Sequence, residues 1–268
     1  MGRIEAAFAR LRQQGETALI PFITAGDPDL GRTEELIHVL VEAGADIIEL
    51  GFPFSDPMAD GPVIQAASER ALAAGATLPA ILELVARVRR HTNVPIVLMG
   101  YYNPIFHYGP TRFARDAAAA GVDGLLLVDL PPEEADEIHG DLRAAGVRLI
   151  TLLAPTTPQQ RMARLAAAGE GFLYYVSMTG VTGTHAVDAG AIETAVRSLR
   201  AQSPVPVAVG FGISSAADAA AVGSFADAVV VGSALVKVIA AYGSSPELPA
   251  QAGAFIRALK QSLRRRAA

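Results

Sequence analysis

An α/β chain wound into a single (β/α)8 TIM barrel with an extra N-terminal helix is the fold this sequence predicts, and three observations carry it. Eight apolar strand candidates alternate with helical stretches along the 268 residues. Most of these strands are continuous apolar runs, which means burial on both faces, as in a parallel sheet covered by helices. A faint repeat of helix, glycine stop and buried strand recurs as AGADIIEL at 43–50, AGVDGLLL at 120–127, AGVRLITLL at 145–153 and FADAVVV at 225–231. No linker-like segment divides the chain, and barrels of about 250 residues are common as single units. Residues 1–268 therefore read as one domain.

The elements follow in order. An amphipathic helix opens the chain at about residues 3–14, and strands are expected near 18–24, 46–51, 95–100, 124–128, 148–153, 172–176, 206–210 and 227–231. Gly44, Gly121 and Gly146 each follow an Ala-rich helix and suit the left-handed position that ends one. Proline-rich pieces at 52–62 and 101–110 follow strands 2 and 3 and read as loops of one face.

Composition removes several chemistries. Half the residues are hydrophobic (51%), yet no apolar run reaches the roughly 18 residues of a membrane-spanning helix. The opening MGRIEAAFARLRQQG lacks the basic-then-apolar order of a secretory signal, so a cytoplasmic location is expected. Zero cysteines remove thiol nucleophiles, thiolate metal sites and iron–sulfur clusters. A net charge of −5 disfavours a nucleic-acid partner, and the basic run Arg264–Arg266 suits the last turn of a helix. The two lysines, Lys237 and Lys260, fall in helical stretches, which disfavours a Schiff base in the barrel mouth. The five histidines are scattered without the spacing of a metal site.

Barrel chemistry sits at the C-terminal ends of the strands. There the stretch 49–61, ELGFPFSDPMADG, puts Glu49 inside an apolar run with Ile47, Ile48 and Leu50, and adds Asp56 and Asp60 on a Gly/Pro-rich loop. A buried carboxylate is costly unless it is paired or held neutral, and a raised proton affinity is what a general acid/base near neutral pH needs. Glu49 is the candidate acid/base and Asp60 its partner. The structural alternative is a barrel carboxylate paired with arginine and a loop aspartate capping the turn before Pro62. It lacks an arginine on strands 1 to 4.

Three glycine-bearing turns follow strands 6, 7 and 8: TGVTGTH at 179–185, GFGISS at 210–215 and GSALVK at 232–237. Glycine lets backbone N–H groups approach an anion, and helix starts at Ser214 or Ser233 add a positive dipole end. A small phosphorylated ligand is expected, with 177–188 as a lid over it.

The stretches PFITAGDPD (21–29), ELGFPFSDPMADGPVIQ (49–65), GYYNPIFHYG (100–109), VDLPPEE (128–134), TGVTGT (179–184) and GFGISS (210–215) closely resemble the tryptophan synthase α subunit family over residues 3 to 240. The resemblance implies a lyase that splits indole-3-glycerol phosphate into indole and glyceraldehyde 3-phosphate by a retro-aldol cleavage, with no cofactor or metal. It also implies a β subunit partner that consumes the indole, as an α2β2 assembly. Carried over position by position, Glu49 would protonate indole C3 and take the proton from the glycerol hydroxyl, and Asp60 would hold the indole N–H. Phe22, Met99, Leu126 and Tyr174 match the indole pocket. Thr182 matches the lid residue that meets Asp60, and Gly183, Phe211, Gly212, Ile213, Gly232 and Ser233 match the phosphate contacts. Asp129 matches a carboxylate supporting the Glu49 region, and Asp56 a contact to the β partner. Phe52 and Met178 depart from the family's pattern and bear on loop packing and partner coupling. The competing readings are a stand-alone indole-releasing lyase, a non-catalytic subunit that binds a phosphorylated ligand and regulates a partner, and a phosphosugar isomerase. Apolar residues in 52–54 and 105–108 favour a docking surface.

Overall fold

The computed structural model of the chain describes residues 1–176, 189–210 and 212–264. Its sheet is parallel throughout and winds in the order β5-β4-β3-β2-β1-β9-β8-β7-β6. The strands are β1 (Ala18–Thr24), β2 (Ile48–Gly51), β3 (Ile96–Gly100), β4 (Gly124–Leu127), β5 (Arg148–Leu149), β6 (Thr151–Leu153), β7 (Leu173–Val176), β8 (Val207–Gly210) and β9 (Ala228–Val231). The expected fifth strand is thus two segments. β5 pairs with β4, β6 pairs with β7, and Ile150 between them keeps one ladder bond, its N–H to the Leu125 carbonyl at 2.8 Å. Eight staves form a nearly closed barrel, with the fifth handed from one neighbour to the other at Ile150. The run from Arg148 to Leu153 carries no breaker residue that could announce this.

Helix α1 (Arg3–Gln14) turns Ile4, Phe8 and Leu11 inward at a spacing of four and three, and they join the barrel's interior cluster with Val97 and Phe172. Its stop, Gly15, has φ of 67°. Helices α2 (Leu30–Glu42) and the Ala-rich α6 (Pro110–Ala120) are followed by Gly44 at φ 108° and Gly121 at φ 92°, left-handed positions that a Cβ would strain.

Alternation along each stave sorts the side chains. Leu19, Ile23, Ile48, Leu50, Ile96 and Leu98 pack in the large cluster shared with the helices. Their neighbours Ile20, Ile47, Val97, Leu126 and Tyr174 pack in the second cluster, inside the barrel. The same alternation puts Glu49 inside, level with Phe22 on β1 and Val97 on β3.

At the opposite end, Lys260 of the last helix, α12 (Leu248–Leu263), is buried. Its Nζ lies 2.8 Å from Asp46 Oδ2 and 3.0 Å from Glu16 Oε2, while Asp46 also accepts from the Leu19 N–H at 3.0 Å. Removing one member of a buried pair strands the other charge. Lys260→Met is therefore expected to destabilise the fold by about 3–5 kcal/mol. A melting temperature within a degree or two of the wild type would contradict this. Among the described residues no single helix is long and apolar enough to cross a membrane.

Candidate active site

The mouth of the barrel is shaped by glycines at strand ends that make room for aromatic rings. A Cβ on Gly51, the last residue of β2, would stand 2.7 Å from the Phe22 ring; one on Gly100, ending β3, would collide with the ring of Phe52, and one on Gly210, ending β8, with Tyr174. Three strands thus give up a side chain so that three rings can lie across the opening. Phe22, Phe52 and Tyr174 are 6%, 4% and 8% exposed. Phe52, a departure in the sequence pattern, is therefore core, packed over Gly100 rather than presented by its loop. Met99 and Leu126 occupy one level of the inner face, paired across β3 and β4.

Glu49 lies within this apolar setting at 2% exposure, and neither carboxylate oxygen has a hydrogen-bond partner among the described residues. Burial first, and the nearby Asp60 charge second, push its proton affinity up to about 8. Asp60, on the loop between β2 and α3 (Pro62–Ala73), is also raised by burial, to about 6, with the Tyr101 hydroxyl pulling it down. Tyr101 accepts from the Ala59 N–H at 2.9 Å and donates to Asp60, so it fastens the loop and favours the charged carboxylate together. The Gln65 side-chain amide donates to the Asp60 carbonyl at 2.8 Å and to the Pro57 carbonyl at 3.3 Å, tying the loop to the first turns of α3. Behind it Arg70 forks onto Asp27 at 2.8 and 2.7 Å, which fixes α3 against the β1 loop. At pH 7 this geometry holds one carboxyl neutral and the other ionised, the arrangement that separates an acid from an electrostatic stabiliser. Burial first, and the Glu49 charge next, push the Tyr174 hydroxyl well above its ordinary value, so it stays protonated.

The starts of the two helices expected to meet an anion differ in a way the motifs do not reveal. Helix α10 (Ala216–Gly223) begins two residues after Ser214, and its start is already answered: the Ser214 and Ser215 N–H groups donate to Asp218 Oδ2 at 3.0 and 2.9 Å in a capping box. Helix α11 (Ser233–Tyr242) begins at Gly232 with no side-chain cap among the described residues, so its first N–H groups are not taken up by a capping side chain there. Gly212 (φ 68°) and the buried Ile213 lead into α10 beside it.

Of the other residues singled out from the sequence, Asp129 accepts from the Tyr102 N–H at 2.8 Å at the start of α5 (Tyr102–Tyr108), so it anchors the loop after β3. Asp56 is exposed on the loop that carries Asp60. Thr182, Gly183, Phe211, Met178 and the lid 177–188 lie outside the described residues. The loop residues expected to form an apolar docking patch face mostly inward. Phe52 and Ile105 are buried and Phe54 packs on Tyr101 with ring centroids 5.2 Å apart, whereas Met58 and Phe106 stand out at 86% and 60% exposure. Tyr101 lies in the GYYNPIFHYG stretch on the active face, but the stretch does not say which group its hydroxyl meets; the structure sets it against Asp60 and the Ala59 N–H. A cavity of about 490 Å³ lies at the other end of the barrel between α1 and α12 and contains none of these groups. The mouth itself holds a cavity of about 20 Å³ beside Asp60. We assign the chemistry to the mouth, because that is where the paired carboxyls are.

Fold and site together define a class: a (β/α)8 barrel whose mouth holds a buried carboxyl, Glu49, close to a second, Asp60, beside an uncapped helix start. The model of the tryptophan synthase alpha chain matches residues 8–264. The chain is 57% identical over 263 residues to the tryptophan synthase alpha chain of Geobacter sp. (strain M21), covering 98% of each. It superposes on the tryptophan synthase subunit alpha of Legionella pneumophila str. Paris with a TM-score of 0.91, at 42% identity over 98% of both chains. A chain of the tryptophan synthase complex of Pyrococcus furiosus matches with a TM-score of 0.82 at 39% identity, over 91% of this chain and 98% of that one. The chain belongs to the tryptophan synthase alpha chain family.

Proposed function

We propose that this barrel cleaves indole-3-glycerol phosphate with Glu49 as the single proton carrier and Asp60 as the fixed counter-charge. The observation that carries the reading is Glu49 itself, a buried carboxyl near Asp60 and Tyr174, with both oxygens unpartnered among the described residues. Neutral Glu49 gives its proton to indole C3. The positive charge that appears on the ring nitrogen is met by the ionised Asp60, an interaction stronger in the transition state than in the bound substrate. Glu49, now a carboxylate, takes the proton of the glycerol hydroxyl next to the breaking bond; that oxygen becomes the aldehyde, and the electrons of the carbon–carbon bond return to the ring. Indole and glyceraldehyde 3-phosphate leave, and Glu49 is again protonated. No external proton is consumed.

Phe22, Met99, Leu126 and Tyr174 supply the apolar walls for the ring. Gly212, Ile213, Gly232 and Ser233, with Phe211 and Gly183, hold the phosphate, the start of α11 supplying unshared N–H groups. The contact to Asp60 on closure is assigned to Thr182 by the family resemblance, and Asp129 supports the Glu49 region by fixing the loop after β3. As an alpha chain this barrel serves tryptophan biosynthesis with a β subunit, to which it passes the indole, and Asp56 on the exposed loop is the contact assigned to that partner. The chain acts as one barrel domain in the cytoplasm. The test mixes the purified chain, alone and with a β subunit, with indole-3-glycerol phosphate and follows indole. Indole release, with no turnover of ring-free triose phosphates, is the expected result; isomerisation of triose phosphates, or no indole even with the β subunit present, would sink the reading.

A further inference from the structure

Thr24 ends β1 on the inward alternation that carries Ile20 and Phe22, so its side chain turns into the barrel mouth. It is 2% exposed, and its Oγ1 has no hydrogen-bond partner among the described residues. Buried hydroxyls are almost always partnered, because an orphan forfeits about 1–3 kcal/mol. A valine would fill the same volume without that cost, so the hydroxyl calls for a partner that a turn of a neighbouring side chain brings within reach. The cavity it lines offers one. Its other polar side chains are Asp60, Ser68 and Tyr101, and the remaining walls are backbone and hydrocarbon.

Asp60 needs what Thr24 holds. An ionised carboxylate accepts several hydrogen bonds, and Tyr101 is the one side-chain donor to it among the described residues. With one donor a carboxylate keeps its freedom to rotate. We propose that Thr24 is a positioning residue whose hydroxyl donates to the Asp60 carboxylate from the β1 side, opposite Tyr101, and so fixes the face that Asp60 turns to the substrate's ring N–H. The last clause rests on the role given to Asp60 above; the hydrogen bond does not. The titratable groups facing Asp60 among the described residues are Glu49 from β2 and Tyr101 from the end of β3. Ser68 of α3 is neutral, and Arg70 of α3 is engaged by Asp27. A change at Thr24 therefore alters one donor and no charge.

The experiment compares Thr24→Val, which keeps the shape and removes the hydroxyl, with Thr24→Ser, which keeps the hydroxyl. The titration of Asp60 is followed by carbon-13 NMR in the resting protein, beside kcat, KM and melting temperature. Removing a donor to the charged form raises the carboxyl's midpoint, by roughly one pH unit for one bond to a charged group. Thr24→Val is expected to show that rise, a kcat about tenfold lower with KM little changed, and an undiminished melting temperature; Thr24→Ser restores the first two. An unmoved midpoint with a raised KM would overturn the proposal in favour of a direct substrate contact. An unmoved midpoint with kcat and KM both intact would leave Thr24 as packing. Because the midpoint is read without substrate, full activity in Asp60→Asn would refute the mechanism and leave this result standing.

Discussion

Glu49→Gln is expected to lower kcat for indole formation by about 10²- to 10⁴-fold while leaving substrate affinity nearly unchanged. The amide has the shape of the protonated acid but no proton to give to C3 and no basic oxygen to take one from the glycerol hydroxyl, so both halves of the reaction lose their carrier. The same substitution should alter stability in the other direction. Glu49 is buried with its oxygens unpartnered among the described residues, and its folded value of about 8 lies above the ordinary glutamic acid value of 4.5. Between those two pH values the folded chain binds the proton and the unfolded chain does not. The contribution of this group is therefore full below about pH 4.5, falls as pH rises, and is gone above about pH 8, a loss on the order of a few kcal/mol. Glutamine does not ionise. The melting temperature of Glu49→Gln is expected to decline less than that of the wild type between pH 5 and 9; parallel declines would show that Glu49 is not held neutral.

Asp60→Asn is the second large effect. The amide cannot neutralise the charge that develops on the ring nitrogen, and loss of one preorganised electrostatic partner in such a site costs about 10²–10³ in kcat. KM should change far less than kcat, because the charge exists only near the transition state. The substitution also removes the group that Tyr101 faces and takes away the acid limb of the pH dependence, which Glu49→Gln does not. A variant that weakens binding and leaves kcat intact would make Asp60 a ground-state contact.

Much of this was readable because the physics is local. Unbroken apolar staves, the glycine stops at Gly44, Gly121 and Gly146, and a carboxylate set between Ile48 and Leu50 each declare their role within a few residues, and the barrel follows from repeating the unit. What escaped was set across the barrel. The division of the fifth stave at Ile150 arises from its two neighbours, β4 and β7, which claim opposite ends of one apolar run. The inward packing of Phe52 depends on Gly100, nearly fifty positions away, having no Cβ to block the ring. The difference between the starts of α10 and α11 turns on whether Asp218 folds back over its own helix, a side-chain choice that GFGISS does not announce. Tyr101 reaches Asp60, and Thr24 shares its cavity, only because three consecutive staves converge on one loop.

The pH dependence of kcat/KM for indole formation tests the central claim most directly, since it reports the ionisation of the free enzyme. Activity is expected to rise near pH 6 as Asp60 ionises and to fall near pH 8 as Glu49 loses its proton, the two midpoints belonging to the coupled pair. Activity that climbs through pH 8 to an alkaline plateau would mean that the reaction begins with an ionised Glu49, and the single-carrier mechanism would be wrong.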